Sequence, residues 1–394
     1  MEQRWRSLAA LTVARAAMGF QFQTVAALAP LVQRDLGLDK AQVGWLIGVY
    51  LLPGAVVALP GGLLGRRFGD TRVVVLGLVL MAAGGIGLAA AHSFAQANAA
   101  RLISGIGAVM LNVLVTKMVA DAFDGKERLL AMSVLINSWP IGIGIALLVI
   151  GPLAEVAGWL WGVASSAAFA LFGLALVAAV YRAPVAGGSV PAPGGIGLGV
   201  VTCREWHLLM IGSLPWLLYN AAFQIVLSFM PSFLAESGLG IVRAGSLMAL
   251  NAMMFVVGVQ AGGFLLKRTA HADRLCHAMI VVWCATLLLI AGSAPLPWLI
   301  IGGVLGGIPA AALVSLPGEF LRPESRSTGM GIFYTIYYGG CAVLPTLAGA
   351  LYDSSGGQAA LWMATGLALG AALTLAVFRH AMKPVAGSEA HGSI

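Results

Sequence analysis

Apolar stretches long enough to cross a bilayer follow one another from end to end of this chain, and few folds can absorb such a pattern. A membrane-spanning helix needs about 20 mostly apolar residues. Such spans are predicted at roughly 7–32, 42–64, 73–91, 97–119, 129–152, 159–181, 207–232, 241–266, 274–292, 296–317, 328–350 and 358–378. They are too long and too uniformly apolar for a membrane β-barrel, whose strands run to about 10 residues of alternating polarity. Only 9% of the 394 residues are charged and 60% are hydrophobic, whereas a soluble domain has roughly a quarter of its residues charged. Lipid must therefore cover most of the surface. The predicted fold class is an all-α membrane protein of twelve transmembrane helices in two six-helix halves.

Basic residues set the orientation, because Lys and Arg accumulate in cytoplasmic loops. With the N-terminus inside, the cytoplasmic segments collect 16 of the 22 basic residues, among them Arg4, Arg66, Arg67, Arg128, Arg182, Arg268, Arg326 and Arg379. The outer loops keep only Arg34, Lys40 and Arg243. Both termini are thus expected in the cytoplasm. The basic start leads into a span too long and too dotted with polar residues for a cleavable signal peptide.

The longest connection, 182–206, carries Ala-Gly-Gly-Ser and Pro-Ala-Pro-Gly-Gly and reads as a flexible cytoplasmic linker. It separates an N-terminal half at 1–181 from a C-terminal half at 207–394. The halves echo one another. Gly61-Gly62-Leu63-Leu64-Gly65-Arg66-Arg67 returns 201 residues later as Gly262-Gly263-Phe264-Leu265-Leu266-Lys267-Arg268. The basic turn ending at Arg128 returns 198 residues later at Arg326. A duplicated six-helix unit is a common plan of secondary transporters.

The net charge of +7 does not point to nucleic acid, because the basic residues sit in short clusters between spans. The histidines form no metal-ligand spacing, no glycine loop with Lys is present for ATP, and no Ser-His-Asp constellation is found. No enzyme activity and no cofactor are expected. The four cysteines show no paired extracellular pattern, and packing accounts for them.

Function must then come from polar residues inside the spans. In the first span, Arg15 lies about 12 Å from the inner end, with Gln23 about 80° round the helix from it. A charge at that depth costs several kcal/mol unless it meets protein, water or ligand. In the fourth span, Arg101 and Asn112 fall about 20° from a common face and are expected to line one groove, with Lys117 nearer the cytoplasmic end. The fifth span adds Asn137 beside Trp139 and Pro140. The seventh presents Trp216, Tyr219, Asn220 and Gln224, and the eleventh presents Tyr334, Tyr337 and Tyr338. For each, ordinary helix packing is the competing explanation.

Every acidic residue lies in a loop, in a tail or near a helix end. The interior therefore offers Arg15 and Arg101 with no mid-membrane carboxylate, so an organic cation would lack a counter-charge there. A bound anion would itself neutralise the site, and Arg can grip a carboxylate with two parallel hydrogen bonds.

The loop after the second span, Gly62-Leu63-Leu64-Gly65-Arg66-Arg67-Phe68-Gly69 with Arg72, resembles the loop 2–3 signature of the major facilitator superfamily. Gly62, Arg67 and Gly69 match, but Arg66 stands where that family has an aspartate, which puts the cytoplasmic latch in question. Asp70 is the nearby acid that could replace it. Arg101-Leu102-Ile103-Ser104-Gly105-Ile106-Gly107 resembles the family's arginine-glycine pattern in the fourth span. Pro53-Gly54, the Pro60 to Gly69 stretch and Gly329-Met330-Gly331-Ile332-Phe333-Tyr334 are similar to bacterial permeases of the cyanate and nitrate type. The double-asparagine and glycine-rich nitrate signatures are not evident.

The resemblance implies a monomeric secondary transporter of the bacterial cytoplasmic (inner) membrane that works by alternating access. Its expected cargo is a small organic or pseudohalide-like anion, with protons as the coupling ion. Arg66, Arg67, Asp70, Lys117, Arg128 and Arg326 are the expected gating residues. Two other readings remain open at this point, an efflux pump for amphipathic drugs and a membrane sensor that no longer transports.

Overall fold

The structure is a computed structural model and describes residues 2–57, 67–123, 125–182, 200–269, 271–290 and 295–382. Among these residues fifteen α-helices carry nearly all of the regular structure. The first predicted span appears as α1 (Glu2–Ala27) and α2 (Ala29–Leu36), broken at Leu28 just before Pro30. Proline has no N–H to continue the ladder, and its ring crowds the preceding turn. The second span is likewise divided, into α3 (Lys40–Gly48) and α4 (Leu52–Val57), with Pro53 at the start of the second piece.

Then come α5 (Asp70–Ala89), α6 (Phe94–Ala122), α7 (Gly125–Ala157) and α8 (Trp159–Val180). The C-terminal group comprises α9 (Cys203–Leu234), α10 (Gly240–Arg268), α11 (Ala272–Ile290), α12 (Pro295–Gly307), α13 (Ala310–Ser315), α14 (Arg326–Ser355) and α15 (Gly357–Met382). The tenth predicted span is thus split into α12 and α13, again at a proline, Pro309. Residues 183–199 of the predicted linker lie outside the described residues. Thr202 accepts a hydrogen bond from the Glu205 amide and Glu205 bonds back to the Thr202 amide, so α9 starts at Cys203 rather than at 207.

Within each group the helices pack as neighbours: α1 on α7 and α8, α5 on α6, α9 on α15, and α10 on α12. The two groups meet along three lines, α3 and α4 on α14, α7 on α10, and α1 on α9. The α3–α14 line is a backbone-to-backbone contact. A Cβ on Gly44 would sit 2.2 Å from the Pro345 carbonyl oxygen, and one on Gly48 would sit 2.0 Å from that of Ala342. Only glycine permits such an approach.

Lys40 and Arg4 mark the two ends of the bundle. At the Lys40 end the groups are tied together. The Lys40 ammonium donates to Glu236 Oε1 at 2.6 Å and lies 4.0 Å from the centre of the Tyr352 ring. The Tyr352 hydroxyl donates to the other Glu236 oxygen, and the Ala41 amide donates to Asp353 at 3.1 Å. At the Arg4 end the ion pairs Arg4–Glu127, Lys117–Asp70, Arg322–Glu205 and Arg379–Glu319 each stay within one group.

Candidate functional site

Four helices converge on Arg15. From α1, its Nε donates to Asn112 Oδ1 on α6 at 2.8 Å. Its Nη1 donates to three acceptors on α7: the Leu135 carbonyl at 2.7 Å, the Ile136 carbonyl at 3.2 Å and Ser138 Oγ at 3.1 Å. The Ile136 carbonyl is available because Pro140, four residues on, has no N–H to occupy it. Asn112 in turn donates from Nδ2 to the Tyr338 hydroxyl on α14 at 3.1 Å, which carries the network across to the second group of helices. Tyr338 can stand there because Gly54 leaves its ring room; a Cβ at 54 would fall 2.4 Å from the ring.

Arg15 is half-buried, and its Nη2 donates to no described residue. None of its partners is a carboxylate. Through Asn112 the guanidinium is linked to Tyr338, whose ring centre lies 6.3 Å from that of Tyr334. Tyr334 and Tyr337 are half-buried and stand edge to face, with centroids 6.2 Å apart. Tyr337 packs on Tyr338 at 4.9 Å and on Trp216 of α9 at 5.9 Å. Trp216 is half-buried, and its indole N–H is enclosed without a partner. Asn137 is half-buried beside Ser138.

Other expected site residues are spent on helix packing. Arg101 is fully buried, and each of its nitrogens ends on a main-chain carbonyl: Nε on Leu46 at 2.9 Å, Nη1 on Gln21 at 2.8 Å and Nη2 on Phe22 at 3.3 Å. Its guanidinium also lies 4.4 Å from the Tyr50 ring centre. The expectation that Arg101 and Asn112 line one groove is corrected. They share a face of α6, but eleven residues separate them by about 16 Å along the helix, so they meet α1 at different levels.

Gln23, also fully buried, donates to the Leu227 carbonyl at 2.7 Å and helps seal α1 to α9. Gln224 donates to the Cys341 carbonyl at 3.2 Å, Asn220 to the Trp216 carbonyl at 2.8 Å, and Tyr219 to the Gly306 carbonyl. Among residues not anticipated, Ser138 had no signal beyond a hydroxyl before Pro140. Glu236, Tyr352 and Asp353 carry no sequence signal that would bring them to Lys40 and Ala41.

Of the expected gating residues, Arg66 lies outside the described residues. Asp70, in the first turn of α5, accepts from Lys117 of α6 at 2.6 Å, and Asp121 stands 3.9 Å from the same ammonium. Arg67 is exposed, 5.5 Å from the Phe68 ring centre. Arg128 donates to the Phe123 carbonyl at 2.8 Å, and Arg326 is exposed at the start of α14. Among the described residues no group of His, Cys, Asp and Glu is arranged to hold a metal.

Comparison with known proteins decides the family, since the profile of the Major Facilitator Superfamily matches residues 11–289. The chain belongs to the Major Facilitator Superfamily. Two solved superfamily-like folds superpose on nearly all of it at 15% identity, a nucleoside transporter, NupG, and a bacterial homologue of the lysosomal transporter Spinster in an inward-facing and occupied conformation. Each gives a TM-score of 0.76 and covers 97% of this chain, with 100% and 97% of the other chain matched. At that identity the likeness concerns the fold.

The 3-(3-hydroxy-phenyl)propionate transporter of Escherichia coli is 25% identical over 84% of this chain and 83% of its own length. Other relatives match in part. An MFS-type transporter of Mycobacterium tuberculosis is 30% identical over 40% of this chain, and the match spans 27% of that protein. The quinolone resistance protein NorA of Staphylococcus aureus is 30% identical over 32% of this chain and 33% of its own length.

Proposed function

We propose that this protein is a secondary transporter that moves a small organic anion across the cytoplasmic membrane by alternating access. One observation carries the reading. Arg15 is half-buried in the bundle, its Nη2 donates to no described residue, and no described carboxylate is among its hydrogen-bond partners. An anion docked there supplies the missing counter-charge, and the low-dielectric surroundings strengthen the bond. The family, and the likeness over 84% of the chain to the 3-(3-hydroxy-phenyl)propionate transporter, support the same direction. So does the resemblance to cyanate- and nitrate-type anion permeases.

In this reading the Lys40 end faces outward and is shut by the Lys40–Glu236–Tyr352 contact, while the Arg4 end faces the cytoplasm. Cargo would enter or leave Arg15 from the cytoplasmic side in the conformation described. Importing an anion against an interior-negative potential costs about 2.3 kcal/mol per charge per 100 mV. A proton moved together with the anionic cargo removes that cost. Efflux of amphipathic drugs is the second reading, favoured by the tyrosine cluster and by the partial match to NorA. The unopposed charge of Arg15 weighs against cationic drugs.

Uptake by proteoliposomes separates the two. Saturable uptake of small carboxylates that acidifies the lumen is expected. Transport of lipophilic cations with no carboxylate uptake would instead establish the efflux reading.

A further inference from the structure

We infer that the cargo is an aromatic carboxylate, with its carboxylate on Arg15 Nη2 and its ring against Tyr334 and Tyr337; this rests on the anion reading above. The partners of Arg15 fix how the guanidinium is presented. Nε is held by Asn112 and Nη1 by the α7 carbonyls and Ser138, so the plane is locked and Nη2 is the nitrogen left to offer. The free nitrogen of a guanidinium fixed in this way offers a charge-assisted bond in one set direction to a carboxylate oxygen.

The wall beside it is also specific. Tyr334 and Tyr337 are about 60° apart round α14 and stand nearly perpendicular, at 79°, each half-buried. Neither hydroxyl donates to a described residue, whereas the Tyr338 hydroxyl is engaged by Asn112. The cluster thus sets two half-buried, nearly perpendicular rings, whose hydroxyls donate to no described residue, on the side of the guanidinium that Asn112 links to α14. A ring attached to a carboxylate directly or by a short linker satisfies all of these together, because aromatic pairs prefer edge-to-face or offset contacts. A pseudohalide or inorganic anion would reach Arg15 and leave the tyrosine faces unused.

The test is calorimetric titration of the full chain in lipid nanodiscs with benzoate, cyclohexanecarboxylate, thiocyanate and benzylamine. Benzoate and cyclohexanecarboxylate share the charge and differ in the ring. Benzoate is expected to bind about fivefold to tenfold more tightly than cyclohexanecarboxylate. In a folded Tyr334→Ala/Tyr337→Ala double variant the difference should shrink to within about twofold, with both carboxylates still bound. Equal binding of the two by the unaltered protein, thiocyanate binding as tightly as benzoate, or a preference that survives the double variant would overturn the aromatic class and leave the anion reading standing. Benzylamine binding with no anion bound, or no binding by any probe, would overturn both.

Discussion

Arg15 and Arg101 are both arginines inside membrane spans, both without an acidic partner, and the structure treats them in opposite ways. Arg101 delivers every nitrogen to a carbonyl of α1 or α3 and stacks on Tyr50, with no exposed surface left. It is a cross-brace that uses its charge to bind main chain. Arg15 is half-buried, has one nitrogen that donates to no described residue, and is linked through Asn112 to the tyrosine cluster of α14. A charge in the membrane is costly in either place. What separates structure from function is whether the protein consumes all the donors.

Removing the brace should have the largest effect. Arg101→Gln leaves three buried carbonyls without their charged donor and a gap against Tyr50. A loss of about 3–5 kcal/mol is expected, seen as a thermal midpoint below those of Glu205→Gln, Asn112→Ala and Arg15→Gln. The fraction that remains folded should bind anions nearly as well as the unaltered protein. Intact folding with lost binding would break the distinction between the two arginines.

A third arginine sharpens it. Arg322 does have an acid. Glu205 is buried at the start of α9 and accepts from the Arg322 side chain at 3.2 Å and from the Ser325 hydroxyl at 2.6 Å. Burial alone would raise the Glu205 pKa, but the bonds from Arg322, Ser325 and Thr202 outweigh it and hold the carboxyl well below the usual carboxylate range. A depressed folded-state pKa adds stability above the unfolded value of about 4.3 and loses it as the pH falls below that. Glu205→Gln should therefore cost about 2 kcal/mol near neutral pH, and the difference from the unaltered protein should narrow in acid. A constant difference from pH 7 to pH 3 would contradict this assignment.

The smallest effect belongs to the link between Arg15 and α14. Asn112→Ala removes the Nε acceptor and the bond to Tyr338 but leaves the α7 acceptors in place. Anion affinity should fall about tenfold with little change in thermal midpoint. An equal fall in midpoint and affinity would make Asn112 a packing residue.

The succession of membrane-spanning helices was legible because apolar length survives small errors of register. Their internal breaks were less so. Pro30, Pro53 and Pro309 were visible, but proline can bend a helix or end it, and tertiary packing decides which. Helical phase grouped Tyr334, Tyr337 and Tyr338, whose rings pack together, but it gave no sign that Asn112 would meet Arg15. It failed for Arg101 because angle alone carries no height. Gln23 and Gln224 failed for a different reason. Their acceptors are carbonyls of other helices, and a sequence gives no sign of where a carbonyl will fall. The Lys40–Glu236–Tyr352 closure was hidden in the same way, since its members come from loops and helix ends almost 200 residues apart.

The central claim is that Arg15 is the anion-binding charge, and one titration tests it most directly. Benzoate binding to the unaltered protein and to Arg15→Gln should differ by about 100-fold, and the variant's thermal midpoint should fall less than that of Arg101→Gln, although the bonds of Nε and Nη1 are lost with the guanidinium. Undiminished binding by a folded Arg15→Gln protein would contradict the account.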